Sequence, residues 1–143
     1  RDGSTLTLLL IDIEHFKRVN DNHGHMAGDR VLAEVAQRIE SRIRASDVAA
    51  RYGGEEFVLL LPDTGPDAAR SLSERLRAGV AERPVALADG TELALTISAG
   101  LAAVAPTRQD EDLKILADSL LARADVALYE AKSAGRDRVA TAD

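Results

Sequence analysis

The pair Gly53-Gly54, set between Arg51-Tyr52 and the run Phe57–Leu61, constrains this chain more than any other feature. Glycine adopts the positive φ values that two-residue turns demand, so the pair reads as a hairpin whose second strand stops at Pro62. Asp89-Gly90 repeats the signal between Val85–Ala88 and Thr91–Ser98, where Leu93, Leu95 and Ile97 alternate. Hairpins join antiparallel strands, whereas a doubly wound parallel sheet needs a crossover helix at every step.

Thr5–Ile11 is a short apolar run closed by Asp12, a buried strand ending in charge. Glu14–Asn20 loses strand character, and Asp21–Asp29 is a polar segment containing Gly24 and Gly28. From Arg30 onward Val31, Leu32, Val35, Ala36, Ile39 and Ile43 fall at helical offsets, which puts Glu34, Arg38 and Arg42 on the wet side. Thr64 and Pro66 open a second helix with the stripe Ala69, Leu72, Leu76 and Val80. Leu113, Leu116, Leu120, Ala124 and Leu128 mark a third, stopped by Gly135, and Val139 belongs to a final strand. The order β-α-β-β-α-β-β-α-β predicts an α+β sandwich, a mostly antiparallel central sheet with flanking helices, in one domain spanning 1–143.

A chain of 143 residues buries about 70% of its unfolded surface, enough for one core. Its 18 basic against 24 acidic residues leave a net −6, which argues against nucleic acid or anionic membrane as a general partner. Any phosphate chemistry must then use a few local cations or a metal. Cysteine and tryptophan are absent, so thiolate chemistry, disulfides and Cys-based metal sites are excluded and stacking platforms are not expected. No apolar run approaches the ~18 residues of a membrane span, and the few residues before the first strand do not read as a basic-then-apolar leader. The opening on Arg1 suggests a piece of a longer protein, with a cytoplasmic setting expected for this part even if the parent is membrane-anchored.

Carboxylates collect at the element edges. Asp12 and Glu14 stand two apart, on one face if the strand continues, and Glu55 and Glu56 follow the glycine pair. If the two segments neighbour each other in one sheet, three or more acidic groups converge at its rim, a set of hard oxygen donors that suits Mg²⁺. Against this, turn tips are commonly acidic and solvated, and adjacent strand residues point to opposite faces. His15, His23 and His25 cluster in sequence but lack the spacing of a zinc site.

The string Gly53-Gly54-Glu55-Glu56-Phe57 resembles the GG(D/E)EF signature of the GGDEF family of diguanylate cyclases. Chance would supply it in a chain of this length on the order of 10⁻⁴ to 10⁻⁵ times. Leu8–Asp29 is similar to the family's first strand and nucleotide loop. Pro62–Arg77, Thr96–Gly100 and Ala124–Arg136 match its later landmarks in order, so the resemblance runs from Thr5 to Val139. Two departures stand out: Glu14 replaces the family's usual Asp, and the short helix and D-x-L-T-G-L-x-N-R-R stretch that usually precede the first strand are not in this sequence.

The resemblance implies a fold similar to the palm of polymerases and nucleotide cyclases, and a reaction that condenses two GTP into cyclic di-GMP and two pyrophosphates. It assigns Asp12, the Ile13 carbonyl, Glu55 and Glu56 to Mg²⁺, with Mn²⁺ as an alternative ion, and Glu55 and Glu56 to catalysis. Asn20 and Asp29 would read guanine, Gly53 and Gly54 would let the nucleotide approach, and Lys17, Lys132 and Arg136 would hold phosphates. Without it, Lys132 and Arg136 read equally as dipole partners at a helix C-terminus. Arg44…Asp47 has the R-x-x-D form of the family's product-inhibition site, with Arg75 a further candidate there. The pattern alone is weak, since about one chance match is expected and Arg18…Asp21 is a second, but Asp47 stands six residues before Gly53, where the family has it. Because the product contains two guanylates, the resemblance also implies a homodimer. The competing expectation is a catalytically silent domain that senses cyclic di-GMP or GTP.

Overall fold

A computed structural model of the protein describes residues 5–105 and 113–142; Arg1 and the side chain of Leu113 lie outside the described residues. Eleven elements follow one another: β1 (Leu6–Ile13), α1 (Phe16–His23), α2 (His25–Glu40), β2 (Val48–Arg51), β3 (Glu56–Leu61), α3 (Pro66–Ala81), β4 (Val85–Ala86), β5 (Glu92–Leu93), β6 (Ile97–Val104), α4 (Leu113–Ser133) and β7 (Val139–Thr141). The five-stranded sheet runs β2-β3-β1-β6-β7, with only β6 and β7 parallel. This is the α+β, mostly antiparallel architecture that the hairpins predict.

Strand β1 is central and buried on both faces, which explains its nearly continuous apolar run. Leu9, Ile11 and Ile13 join Val31, Val35, Ile39, Leu72 and Leu76 in the larger core beneath α2 and α3. Leu8 and Leu10 meet Leu120, Ala124 and Leu128 of α4 on the other face. Helix α4 lies very close to the sheet because Gly100 offers it no side chain. A Cβ there would stand 2.2 Å from the Leu128 nitrogen and 2.3 Å from the Ala124 carbonyl oxygen.

Several local expectations are corrected. Asp12 lies inside β1, which continues to Ile13. The stretch from Glu14 to Asp29 is largely helical: α1 occupies its middle, and α2 starts at His25, five residues before Arg30. Helix α1 buries only Phe16 and Val19, too few apolar positions to show a period, and Gly24 at φ 89° separates the two helices. The Asp89-Gly90 turn does form, with Gly90 at φ 88°, but its strands shrink to β4 and β5 in a separate two-stranded sheet. Ile97 instead begins β6, because Thr96 turns its carbonyl to the Glu14 N–H at 2.9 Å and delivers the chain to β1. Gly65, not Thr64, caps α3, and no side chain bonds the cap.

Arg38 is not on a wet face; it is 4% exposed. Its guanidinium donates to the carbonyls of Val80 (3.0 Å) and Arg83 (2.7 Å) at the end of α3 and pairs with Glu34 at 3.0 Å. A buried cation thus satisfies carbonyls that α3 leaves unpaired and ties α2 to α3. Replacing Arg38 with Met is expected to destabilise the domain by about 3 kcal/mol, read from urea unfolding, because those carbonyls lose their donor.

Candidate active site

Two strand pairings bring the acidic residues to one end of the sheet. Asp12 faces Glu56 across the β1–β3 ladder and Ser98 across the β1–β6 ladder. The Ile13 N–H donates to the Glu55 carbonyl at 3.2 Å, so the segment after the glycine pair is fastened to the end of β1. Asp12 and Glu14 do share a face, both turned to the C-terminal end of α4. Lys132 donates to Asp12 Oδ2, and Arg136 Nε donates to Glu14 Oε1 at 3.0 Å. Ser98 Oγ donates to the other Glu14 oxygen.

The electrostatics are strained in one direction. Burial pushes the Asp12 carboxyl above its usual range, against the pull of the Lys132 hydrogen bond. Glu55 and Glu56 are raised as well, first by burial and then by the charge of Asp12. Burial works to lower the Lys132 ammonium, but the hydrogen bond and charge of Asp12 outweigh it and leave it raised. Four carboxylates (Asp12, Glu14, Glu55, Glu56) against two cations (Lys132, Arg136) leave an excess of two negative charges. One oxygen, Asp12 Oδ1, is buried with no hydrogen-bond partner.

An orphaned carboxylate oxygen beside two half-buried carboxylates is a donor set that fits a hard divalent cation. Among the described residues no group of three or more His, Cys, Asp or Glu stands within ligand distance of a common point. The acids are therefore neighbours in charge without being gathered at ligand distances, and Lys132 serves as the counter-ion of Asp12.

The turn corrects a premise. Neither Gly53 nor Gly54 has a positive φ; four residues, 52–55, link the strands, closed by the Tyr52 N–H on the Glu56 carbonyl at 2.8 Å. A Cβ at Gly54 would meet nothing within 4 Å, and one at Gly53 would make ordinary contact with Glu56. The protein itself needs neither glycine, so the bare backbone here suits the close approach of something from outside. Arg51 holds the turn by donating to the Gly54 carbonyl at 3.0 Å.

Asn20 is half-buried, and its Oδ1 is the other buried oxygen without a partner. Gly28 makes room for it, since a Cβ there would fall 1.9 Å from that oxygen. Asp29 is the next residue along α2 and is exposed. Lys17 is not drawn to the Lys132–Arg136 pair. It is 86% exposed and bonds Asp21 one turn along α1 at 2.8 Å, and Asp21 is the one charge that raises it.

Arg44, Asp47 and Arg75 do come together, around a cavity of about 210 Å³ that Arg42 and Thr64 also line. Arg44 Nη2 donates to Asp47 Oδ1 at 3.0 Å, to the Pro62 carbonyl at 2.9 Å and to Thr64 Oγ1 at 2.6 Å. Strand β3 joins the two places: Glu56 heads it at the acidic cluster and Leu61 ends it beside Pro62, roughly 17 Å of extended chain. A wider cavity of about 820 Å³ opens between Met26 of α2 and Leu87 of the small hairpin, and Asn20 and Asp29 are not among the residues that line it.

A sequence profile described as "Diguanylate cyclase, GGDEF domain" matches residues 1–138. The chain belongs to the GGDEF family. It is similar to diguanylate cyclase DgcP of Pseudomonas aeruginosa, 48% identical over 99% of this chain and 20% of that protein. The crystal structure of the GGDEF domain of DgcB from Caulobacter crescentus in complex with c-di-GMP superimposes with a TM-score of 0.86 at 36% identity, over 97% of this chain and 78% of that one. The active GGEEF domain of a diguanylate cyclase from Vibrio cholerae gives 0.83 at 33% identity, over 98% and 84%. The chain spans 20 to 35% of the length of the first relatives it matches. Among the described residues no helix is long and apolar enough to cross a membrane.

Ser98, Gly28 and Arg51 stand among these residues, and Arg42 lines the Arg44–Asp47 cavity, with no site role expected for any of them from the sequence. Gly28 reads there as a glycine in a polar stretch and Arg42 as a polar-face residue, and the contacts of Ser98 and Arg51 are ones that no spacing encodes. Gly28→Ala is expected to displace the Asn20 side chain and cost about 2 kcal/mol, visible as a lower urea midpoint, with Gly24→Ala serving to separate this packing clash from backbone strain.

Proposed function

We propose that the domain is an active diguanylate cyclase, condensing two GTP into cyclic di-GMP with release of two pyrophosphates. The observation that carries this reading is the orphaned, buried Oδ1 of Asp12, a residue in register with Glu56 and followed by Ile13, whose N–H is fastened to the Glu55 carbonyl below a turn of two glycines that the fold does not require. Asp12, the Ile13 carbonyl, Glu55 and Glu56 would hold Mg²⁺, or Mn²⁺ in its place. When bound, such an ion neutralises phosphoryl charge and acidifies a hydroxyl beside it.

The chain's own groups supply the rest. Glu55, its pKa raised by burial and by Asp12, is suited to accept the proton of a 3′-hydroxyl as that oxygen attacks an α-phosphate. Lys132 and Arg136 compensate charge as pyrophosphate leaves. The unpaired Asn20 oxygen and the exposed Asp29 carboxylate accept hydrogen bonds from the guanine edge, and an adenine would leave them unsatisfied. Each domain binds one GTP, so two domains of a homodimer present their 3′-hydroxyls to each other. Arg44, Asp47 and Arg75 form a separate cavity suited to product: Asp47 for a guanine edge, the arginines for phosphate. No nucleic acid or membrane takes part.

The preformed Arg44–Asp47 cavity also favours a second reading, a catalytically silent domain that senses cyclic di-GMP. Incubating a forcibly dimerised protein with GTP and Mg²⁺ separates the two. Cyclic di-GMP should accumulate, and Glu55→Ala should lower the rate by about 10² to 10⁴. Tight cyclic di-GMP binding with no turnover would establish the sensor instead.

A further inference from the structure

We infer that Glu14 is a positioning residue, which orders Arg136 through its Nε and leaves the guanidinium fork free for the phosphates of the nucleotide. The inference rests on the cyclase reading and assigns a role to a carboxylate which that reading leaves unused.

Glu14 is 5% exposed, and both its oxygens are engaged from different elements: Oε2 by Ser98 Oγ of β6, itself fully buried, and Oε1 by Arg136 Nε at 3.0 Å. Its own N–H is fixed on the Thr96 carbonyl at 2.9 Å. A residue held at both carboxylate oxygens and at its backbone N–H has little freedom left, so whatever it binds inherits that order. Arg136 is held from its other end as well. It follows α4 in the left-handed region, φ 63°, with its N–H on the Ala131 carbonyl at 3.0 Å.

The atom that Glu14 takes is the decisive point. Arginine binds carboxylate or phosphate most strongly through a pair of parallel N–H groups. Glu14 occupies Nε, and among the described residues Nη1 and Nη2 of Arg136 bond nothing, while the side chain remains 49% exposed. One anion therefore orients the guanidinium from beneath, and a second can be taken by the two terminal nitrogens. Lys132 is arranged differently. Its ammonium sits on Asp12 Oδ2, the neighbour of the unpaired Oδ1 that is the candidate metal ligand. Glu14 thus orders Arg136 through Nε, while Lys132 is spent on Asp12.

A purely structural Glu14 would tie β1 to α4 and affect every ligand alike, so the test compares ligands. Calorimetry with 3′-deoxy-GTP and Mg²⁺ measures phosphate-dependent binding without turnover, and guanosine reports on the base alone. Glu14→Ala should weaken 3′-deoxy-GTP about 10-fold and guanosine less than about 2-fold, and should add nothing in an Arg136→Ala background. Glu14→Gln, which keeps an acceptor for buried Ser98, should fold as the parent does by melting temperature and still weaken 3′-deoxy-GTP about 3-fold. Unchanged 3′-deoxy-GTP binding in both variants, equal losses for guanosine, or a full further loss on Arg136→Ala overturns the assignment. A parent protein that binds no 3′-deoxy-GTP overturns the cyclase reading and this inference with it.

Discussion

The structure depends on how closely α4 lies against β6. Gly100 presents a bare backbone to the turn of helix between Ala124 and Leu128, and the nearest helix atoms occupy the space a side chain would need. That approach sets the height of the whole helix above the sheet, and its last turn carries Lys132 with Arg136 just beyond. Only at this separation can the two cations reach Asp12 and Glu14 on β1. Those carboxylates are nearly excluded from water, and without their cations the burial would be costly. The packing of one glycine thus makes a buried acidic strand end tolerable.

The same end of the sheet is not optimised for stability. Asp12, Glu55 and Glu56 all sit above their usual protonation range because burial and mutual repulsion disfavour their charges. A structural ion-pair cluster would have balanced them, yet two negative charges remain uncompensated and one oxygen stays unpaired. Such residual frustration accords with the proposal that a partner from outside completes this end of the sheet. The Arg44–Asp47 cavity differs in this respect, because Arg44 and Asp47 satisfy each other and the surrounding carbonyl and hydroxyl. Strands β1 and β3 carry a frustrated end and a satisfied one, joined by a continuous ladder from Asp12–Glu56 to Thr7–Leu61.

Features that bury a periodic apolar stripe were legible without coordinates. The stripe of α3 is buried at Ala69, Leu72, Leu76 and Val80, and that of α4 at Leu120, Ala124 and Leu128. Helix α1 was not legible, since two apolar residues a turn apart make no period. Arg38 falls on the polar side of its helix by type, but the end of α3 supplies carbonyls that accept from its guanidinium, and the arginine is buried. Gly53 and Gly54 were identified correctly as a turn for the wrong reason. The turn is longer than two residues and their φ values are ordinary.

By itself, the sequence determined the antiparallel sheet, the main helices and the family, because these rest on local periodicity, turn chemistry and a five-residue string. It also named Asp12, Glu55, Glu56, Lys132 and Arg136, which the structure brings to one end of the sheet. Only the tertiary structure decided their pairing: Lys132 with Asp12, Arg136 with Glu14, and Lys17 apart from both. Residues 120 and 122 positions apart meet through sheet register and helix height, quantities that no spacing along the chain contains. The acids were visible as letters, and their shifted protonation and the unpaired oxygen of Asp12 came only with burial.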